Sequence, residues 1–274
     1  MATILFTDLD GTLLNGETYD YQAALPVLER LKEKGIPVIP VTSKTRAEVE
    51  ALIQAVGITD PFVVENGSAI FIRRDRCPFT LPEGDDDGPY RVVALGVAYV
   101  MARAGLRVLA QEIGRPLKGF GDFSVEQIQT LTGLTEADAQ QAKAREFTEP
   151  FMTPKNVTPE KLMAAAASIG FQVVVGDRFS HLIAGSAGKG VAVRQLVAHY
   201  RTTLPAGETV TTVGLGNSPN DLAMLENVDQ PIVLPGKSGP HAKLSDRGWT
   251  IAPAPAPEGW AMAVQQVLTA LDEV

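Results

Sequence analysis

The first 64 residues alternate short apolar runs with amphipathic stretches, and that alternation leaves few folds open. Thr3 to Phe6 is an apolar run too short for a helix and reads as a buried strand. Tyr21 to Lys34 sets Ala24, Val27, Leu28 and Leu31 at helical spacing, and Gly35 follows as a C-terminal cap. Ile36 to Val41 reads as a second strand despite its two prolines. Thr45 and Glu48 then stand three residues apart, a capping box, ahead of a helix whose apolar face is Val49, Leu52, Ile53 and Val56. Phe62 to Val64 is a third strand. Strand, helix, strand, helix, strand is the pattern of a parallel sheet covered by helices.

The pattern breaks and later resumes. Pro82 to Tyr90, "PEGDDDGPY", is a polar, turn-rich interruption. Beyond it, strands are expected at Val92 to Tyr99, Gln172 to Val175 and Ser180 to Ile183. Helices are expected within Gly96 to Gly114, at Ala139 to Arg145 and at Pro159 to Ser168, with a hairpin turn at Gly176-Asp177. After Gly188 the first pattern returns: Lys189 to Tyr200 helical, Val210 to Leu215 a strand, Asn220 to Leu225 helical, Pro231 to Leu234 a strand. A Pro-rich connector, Pro253 to Gly259, leads to a closing helix, Trp260 to Leu271. The expected architecture is therefore an α/β, Rossmann-like parallel-sheet core from residues 1–83 and 187–274, interrupted by an α+β cap at residues 84–186.

Charge and cysteine content narrow the function classes. The net charge is -8, and the densest basic cluster is only Arg73, Arg74 and Arg76. Nucleic-acid backbone binding needs concentrated Lys and Arg, so no nucleic-acid partner is expected. No apolar stretch reaches the length of a membrane span, and "MATILFTDLDG" lacks the basic region of a signal peptide. A single cysteine, Cys77, forbids an intrachain disulfide and fits a reducing compartment, so a cytoplasmic location is expected.

Four polar stretches sit at strand ends or helix starts. Asp8 and Asp10 lie two residues apart just after the first strand, where open α/β sheets bind ligands, and Gly11 allows a sharp turn with N–H groups turned toward an anion. Thr42 and Lys44 follow the second strand, and their hydroxyl, charge and helix start suit a phosphate; a plain helix cap reads equally well there. Lys189 opens a helix, where the helix dipole disfavours a cation unless an anion lies beside it. The surrounding "GSAGKGVAV" is not a nucleotide-binding loop, because Ile183 and Gly190 occupy positions that motif reserves for Gly and for Ser or Thr. "GLGNSPND", Gly214 to Asp221, gathers amides and a carboxylate at a strand end, but Pro219 rules out a dinucleotide fingerprint.

In this order the four stretches resemble the motifs of the haloacid dehalogenase superfamily of phosphotransferases, over essentially the whole chain. "VTSKTRAEVE", "VVENGSAIF", "AKAREFTEPF", "GDRFSHL" and "GLGNSPNDLAML" further resemble the mannosyl-3-phosphoglycerate phosphatase family, whose members have a type-two cap and, with the glucosyl-3-phosphoglycerate phosphatases, make glycosylglycerate compatible solutes. The resemblance implies a Mg²⁺-dependent phosphate monoester hydrolase acting on a small phosphorylated glycoside, mannosyl-3-phosphoglycerate, with glucosyl-3-phosphoglycerate or another sugar phosphate of the Cof-like phosphatases as the alternative. It implies Asp8 as nucleophile, Asp10 as acid–base and Lys189 as charge partner, with Leu9, Gly11, Thr42, Ser43 and Lys189 around the phosphate. Metal ligands are expected among Asp8, Asp10, Asn217 and Asp221, with Asp221 either direct or orienting Lys189. Asn217 stands where the family usually has Asp, which predicts weaker metal affinity and opens a further reading, a catalytically weakened ligand-binding member. Lys44, Glu65, Asn66, Arg145, Arg178, Ser180 and His181 are candidates for the sugar and glycerate, with Arg145 or Arg178 gripping a carboxylate.

Overall fold

The computed structural model describes residues 2–175, 179–205 and 207–273. The chain opens with β1 (Ala2–Thr7), α1 (Leu25–Glu33), β2 (Val38–Pro40), α2 (Arg46–Val56) and β3 (Phe62–Val64). It continues with a hairpin set, β4 (Ala69–Arg73), β5 (Asp85–Asp87) and β6 (Tyr90–Ala94). Then come α3 (Tyr99–Glu112), α4 (Val125–Thr132), α5 (Glu136–Lys143), β7 (Glu149–Met152), α6 (Pro159–Ser168), β8 (Phe171–Val174) and β9 (Phe179–Ala184). The last third holds α7 (Lys189–Arg201), β10 (Val210–Gly216), α8 (Leu222–Leu225), β11 (Gln230–Val233), α9 (Ala242–Ser245), β12 (Thr250–Ile251) and α10 (Glu258–Asp272).

Five strands form one parallel sheet in the order β12-β11-β10-β1-β2. β1 is an interior strand, between β10 and β2, and buried on both faces, which explains its unbroken apolar run. Its side chains still alternate: Leu5 packs with Leu28, Leu31, Trp260 and Val264, while Ile4 and Phe6 pack with Ala192, Val193 and Leu196 of α7. Helices α1 and α10 therefore cover one face and α7 the other. Pro40 is tolerated because it lies at the last residue of β2, the edge strand. The Thr45–Glu48 capping box forms as expected at the start of α2.

The second sheet is antiparallel, β3-β4-β6-β5, and a bridge between Val41 and Val63 ties it to the first. Its pairing attaches residues 85–94 to β4. The expected strand Val92 to Tyr99 is shorter than read: the amides of Leu95 and Gly96 both turn to the Ser68 carbonyl at 2.8 Å, and Tyr99 already opens α3. The third sheet, β7-β9-β8, is also antiparallel, with Leu106 and Leu109 of α3 and Leu162 and Ala166 of α6 packed against Phe151, Val173 and Leu182. The expected hairpin turn at Gly176-Asp177 lies outside the described residues; the flanking strands pair antiparallel, Val174 opposite His181. Among the described residues no helix is long and apolar enough to cross a membrane.

Trp260 is the anchor of the closing helix. It is fully buried, and its indole Nε1 donates to Thr7 Oγ1 at 3.0 Å, one residue before Asp8. Truncation leaves a large cavity and an unmade bond, so Trp260→Ala is expected to lower the unfolding free energy by about 3–5 kcal/mol, measured by urea denaturation.

Candidate active site

The parallel sheet brings the loops after β1, β2 and β10 to one edge, and α7 opens beside them. Lys189 is the first residue of α7 and is buried. Its Nζ donates to Asp8 Oδ1 at 2.7 Å and to Asp221 Oδ1 at 2.6 Å. These are the anions that a cation at a helix start requires. Burial pulls the ammonium down, but the Asp221 and Asp8 carboxylates outweigh it and raise it above the ordinary lysine value. Two carboxylates share one ammonium, and Asp8 carries the imbalance: burial and then Asp221 push its carboxyl up to about 7, against the pull of Lys189.

Asp221 is occupied on both oxygens. Oδ1 takes Lys189, and Oδ2 accepts the backbone amides of Asn217 and Ser218 at 2.9 and 3.0 Å. Of the two roles expected for it, direct metal ligand or orienting Lys189, these contacts are those of the second. Asn217 lies against the Asp8–Thr12 loop, where its Oδ1 accepts from Thr12 Oγ1 at 3.4 Å. A Cβ on Gly11 would come within 2.3 Å of Asn217 Nδ2, and Gly11 sits at φ +73°, so only glycine fits. Leu9 is buried beneath the same loop, and its carbonyl accepts from the amides of Thr12 and Leu14.

Asp10 points toward Lys44, whose Nζ is 3.1 Å from Asp10 Oδ1 and 3.5 Å from Glu48 Oε1, over the Tyr19 ring. Burial raises the Asp10 carboxyl, with Lys44 opposing. Sequence reasoning missed Tyr19 and Glu48: Glu48 was legible only as half of a capping box, and nothing local marks Tyr19. Thr42 is buried beside this pair, its Oγ1 accepting from the Lys44 amide at 3.2 Å, and the Ser43 carbonyl accepts from Arg145 Nη1 at 2.8 Å.

Glu65, Asn66 and Gly67 form a left-handed run, with φ of +49°, +60° and +86°. A Cβ on Gly67 would lie 2.1 Å from the Gly188 carbonyl carbon, so glycine here lets this turn press against the start of α7. Glu65 is buried, and its carboxylate accepts from the amides of Glu146, Phe147 and Thr148 and from the Thr148 hydroxyl, at 2.6–3.3 Å. Its carboxylate is thus engaged by protein donors, where the sequence reading expects a contact with the sugar or glycerate. Asn66 differs: its Nδ2 is buried without a hydrogen-bond partner, while Oδ1 meets Asn220 Nδ2 at 3.5 Å.

The remaining candidates divide between the faces of the third sheet. Ser180 is buried and bonded to Thr153 Oγ1 at 2.9 Å, on the same strand face as Leu182, which packs under α3 and α6. That turns it to the face opposite His181, although the sequence reading places both at the ligand. His181 lies on the other strand face: its Nδ1 is buried without a partner, and burial, followed by the charges of Arg145 and Lys189, lowers the imidazole to about 3. Arg145 is nearly buried and bound to the Ala142 and Ser43 carbonyls, so its Nε and Nη1 serve the protein and not a substrate carboxylate. Arg178 lies outside the described residues. Among the described residues no three His, Cys, Asp or Glu side chains converge as a metal cage.

Three comparisons with known proteins bear on this geometry. Residues 5–78 match the family model of the haloacid dehalogenase-like hydrolases. A protein of Persephonella marina named glucosyl-3-phosphoglycerate/mannosyl-3-phosphoglycerate phosphatase is 39% identical over 269 residues, covering 98% of each chain. A mannosyl-3-phosphoglycerate phosphatase of Pyrococcus furiosus is 36% identical, covering 84% of this chain and 89% of that one. In fold, the chain resembles the subclass IIB sugar phosphatase BT4131, with a TM-score of 0.68, 15% identity and coverage of 97% and 99%.

The His181 shift has a sign. The folded imidazole, lowered to about 3, stays neutral while the unfolded one, at its ordinary 6.5, takes up a proton as pH falls through that value. Stability is therefore lost on acidification between these values, by at most about 1.4 kcal/mol per pH unit. His181→Gln should flatten the dependence of the urea midpoint on pH between 6 and 4.

Proposed function

The chain belongs to the haloacid dehalogenase-like hydrolases, and from that membership we propose that it hydrolyses the phosphate monoester of mannosyl-3-phosphoglycerate through a covalent aspartyl-phosphate on Asp8. The observation that carries this reading is the buried Lys189 ammonium held 2.7 Å from Asp8 at the strand ends, with Asp10 two residues on. The identity of 39% to the Persephonella marina protein along nearly the full length supports the substrate class. That protein's name covers both sugars, which favours glucosyl-3-phosphoglycerate as a second substrate.

Lys189 fixes Asp8 Oδ1 and leaves Oδ2 to attack phosphorus. As the phosphorus–oxygen bond to the glyceryl carbon breaks, the departing alkoxide takes a proton from Asp10, whose burial-raised carboxyl retains one more readily than a free aspartate. Asp10, now a base, removes a proton from water as it attacks the acyl-phosphate, releasing phosphate and restoring Asp8. The Thr42 hydroxyl and the amides of Leu9 and Asp10 would hold the equatorial oxygens, the Gly11 and Thr12 amides being taken by the Leu14 and Leu9 carbonyls, and positioning of this kind supplies most of what phosphoryl transfer needs.

The residues present fit Mg²⁺. The Asp8 carboxyl, raised by burial and by Asp221, sits in an acid cluster with too little positive charge. Mg²⁺ characteristically uses one or two carboxylates and keeps waters and substrate oxygens for the rest, so no larger cage is required. Asp8, the backbone carbonyl of Asp10 and the amide oxygen of Asn217 would hold it, which leaves the Asp10 carboxyl free to carry the proton, and bound there it would offset the negative charge of nucleophile and ester. We place a cap over this edge from about residue 97 to 186, later than the division at 83/84, because residues 85–94 pair with β4. Its inner face would offer His181 to the glycoside, and the turn after β3 would offer Asn66 Nδ2. A lone cysteine supports a cytoplasmic location.

Phosphate release from a panel of glycosyl-phosphoglycerates and hexose phosphates, with and without Mg²⁺, tests the reading. The highest kcat/KM is expected on mannosyl-3-phosphoglycerate, with no turnover above background for Asp8→Asn; a simple hexose phosphate as best substrate would sink the substrate assignment. Asn217→Asp adds a charged ligand and is expected to lower the Mg²⁺ concentration for half-maximal activity severalfold. An unchanged requirement would remove Asn217 from the metal ligands.

A further inference from the structure

Arg145 reaches the loop after β2 from a segment on the far side of the edge. Its Nη1 donates to the Ser43 carbonyl at 2.8 Å and its Nε to the Ala142 carbonyl at 3.0 Å, so the guanidinium is held at two points. The Ser43 carbonyl belongs to the same peptide group as the Lys44 amide, and that amide donates to Thr42 Oγ1 at 3.2 Å. The rest of the Thr42 backbone is fixed as well: its amide donates to Val63 at 3.0 Å, and its carbonyl accepts from Asn66 at 2.8 Å. A second brace joins the same two segments, where Thr45 Oγ1 donates to the Gln141 carbonyl at 2.9 Å.

We propose that Arg145 is a positioning residue for phosphoryl binding, acting through the Ser43–Lys44 peptide on the Thr42 hydroxyl, and not a grip on the substrate's carboxylate. This rests on the phosphatase reading above and assigns Arg145 its part in that site. A threonine hydroxyl has one proton and two lone pairs. With the Lys44 amide occupying a lone pair, the Thr42 proton must point elsewhere, and it becomes a donor ready for an anionic oxygen. The guanidinium charge at the Ser43 carbonyl draws electron density through the peptide, which strengthens the Lys44 N–H as donor and, in turn, the Thr42 O–H. Arg145 thus aims and polarises a hydroxyl that it does not touch. The cap segment that carries Arg145 is thereby coupled to the strength of phosphate binding.

Two readouts separate this from a direct carboxylate contact and from a purely structural role. Binding of inorganic phosphate in the presence of Mg²⁺, by titration calorimetry, should be about five- to tenfold weaker in Arg145→Met than in the wild type. In a Thr42→Val background the same change should have no further effect, because the group it acts through is gone. With p-nitrophenyl phosphate, which has no carboxylate, kcat/KM should fall by the same factor as with a phosphoglycerate ester. A loss confined to carboxylate-bearing substrates would overturn the proposal, and so would full additivity of the two substitutions. If methionine at 145 prevents folding, Arg145→Lys serves, since a single ammonium cannot span both carbonyls. A wild type that binds phosphate in this pattern but turns over no ester would defeat the phosphatase reading while leaving the relay intact.

Discussion

The buried ammonium of Lys189 is the interaction on which the active edge depends. Asp8 and Asp221 come from loops more than two hundred residues apart in sequence, and without a cation between them they would repel in a medium of low dielectric. Placing that cation at the first residue of α7 works against the helix dipole, so the helix start is stable only because both carboxylates are present. The arrangement fixes three things together: where α7 begins, which oxygen of Asp8 remains open, and how the Asn217–Ser218 loop is folded over Asp221. A neutral residue at position 189 would leave two carboxylates buried in contact.

The second constraint is the contact between the edge of the sheet and the segment 141–148. Glu65 performs it by gathering three consecutive amides and a hydroxyl onto one carboxylate, and Arg145 and Thr45 add bonds of their own. A carboxylate accepting several N–H donors is a strong local clamp, and its cost is the left-handed backbone at Glu65 and Asn66, which ordinary residues adopt reluctantly. The same turn carries Asn66, whose buried Nδ2 has no hydrogen-bond partner. Strain, clamp and candidate contact are therefore one local feature.

Much of this was legible in the sequence because it is governed by local rules. The apolar run of β1, the capping box at Thr45 and the lysine misplaced at a helix start each follow from a few adjacent residues. What escaped depends on distant partners. Glu65 reads as any acid after a strand until Thr148 is beside it. Trp260 and Thr7 meet only once α10 closes on β1. Strands β4, β5, β7 and β12 were missed: β5 is three aspartates, a composition no strand propensity favours, and it is held by pairing with β6 and by Arg46, Arg74 and Arg91. Ser180 and His181 are neighbours in sequence, and only the alternation of a strand whose covered face is known separates their roles.

The strand order has a consequence for biosynthesis. β1 lies between β2 and β10, so its second hydrogen-bonding edge is complete only when residues 210–216 have been made. At ordinary translation speeds the ribosome needs on the order of ten to forty seconds to cover that span. Throughout that interval an apolar strand has an unpaired edge, and for most of it Asp8, the residue after that strand, has no Lys189 to pair with. The nascent chain is thus exposed longest at the strand that will carry the nucleophile, and a chaperone that shields the N-terminal segment would protect the future active site first.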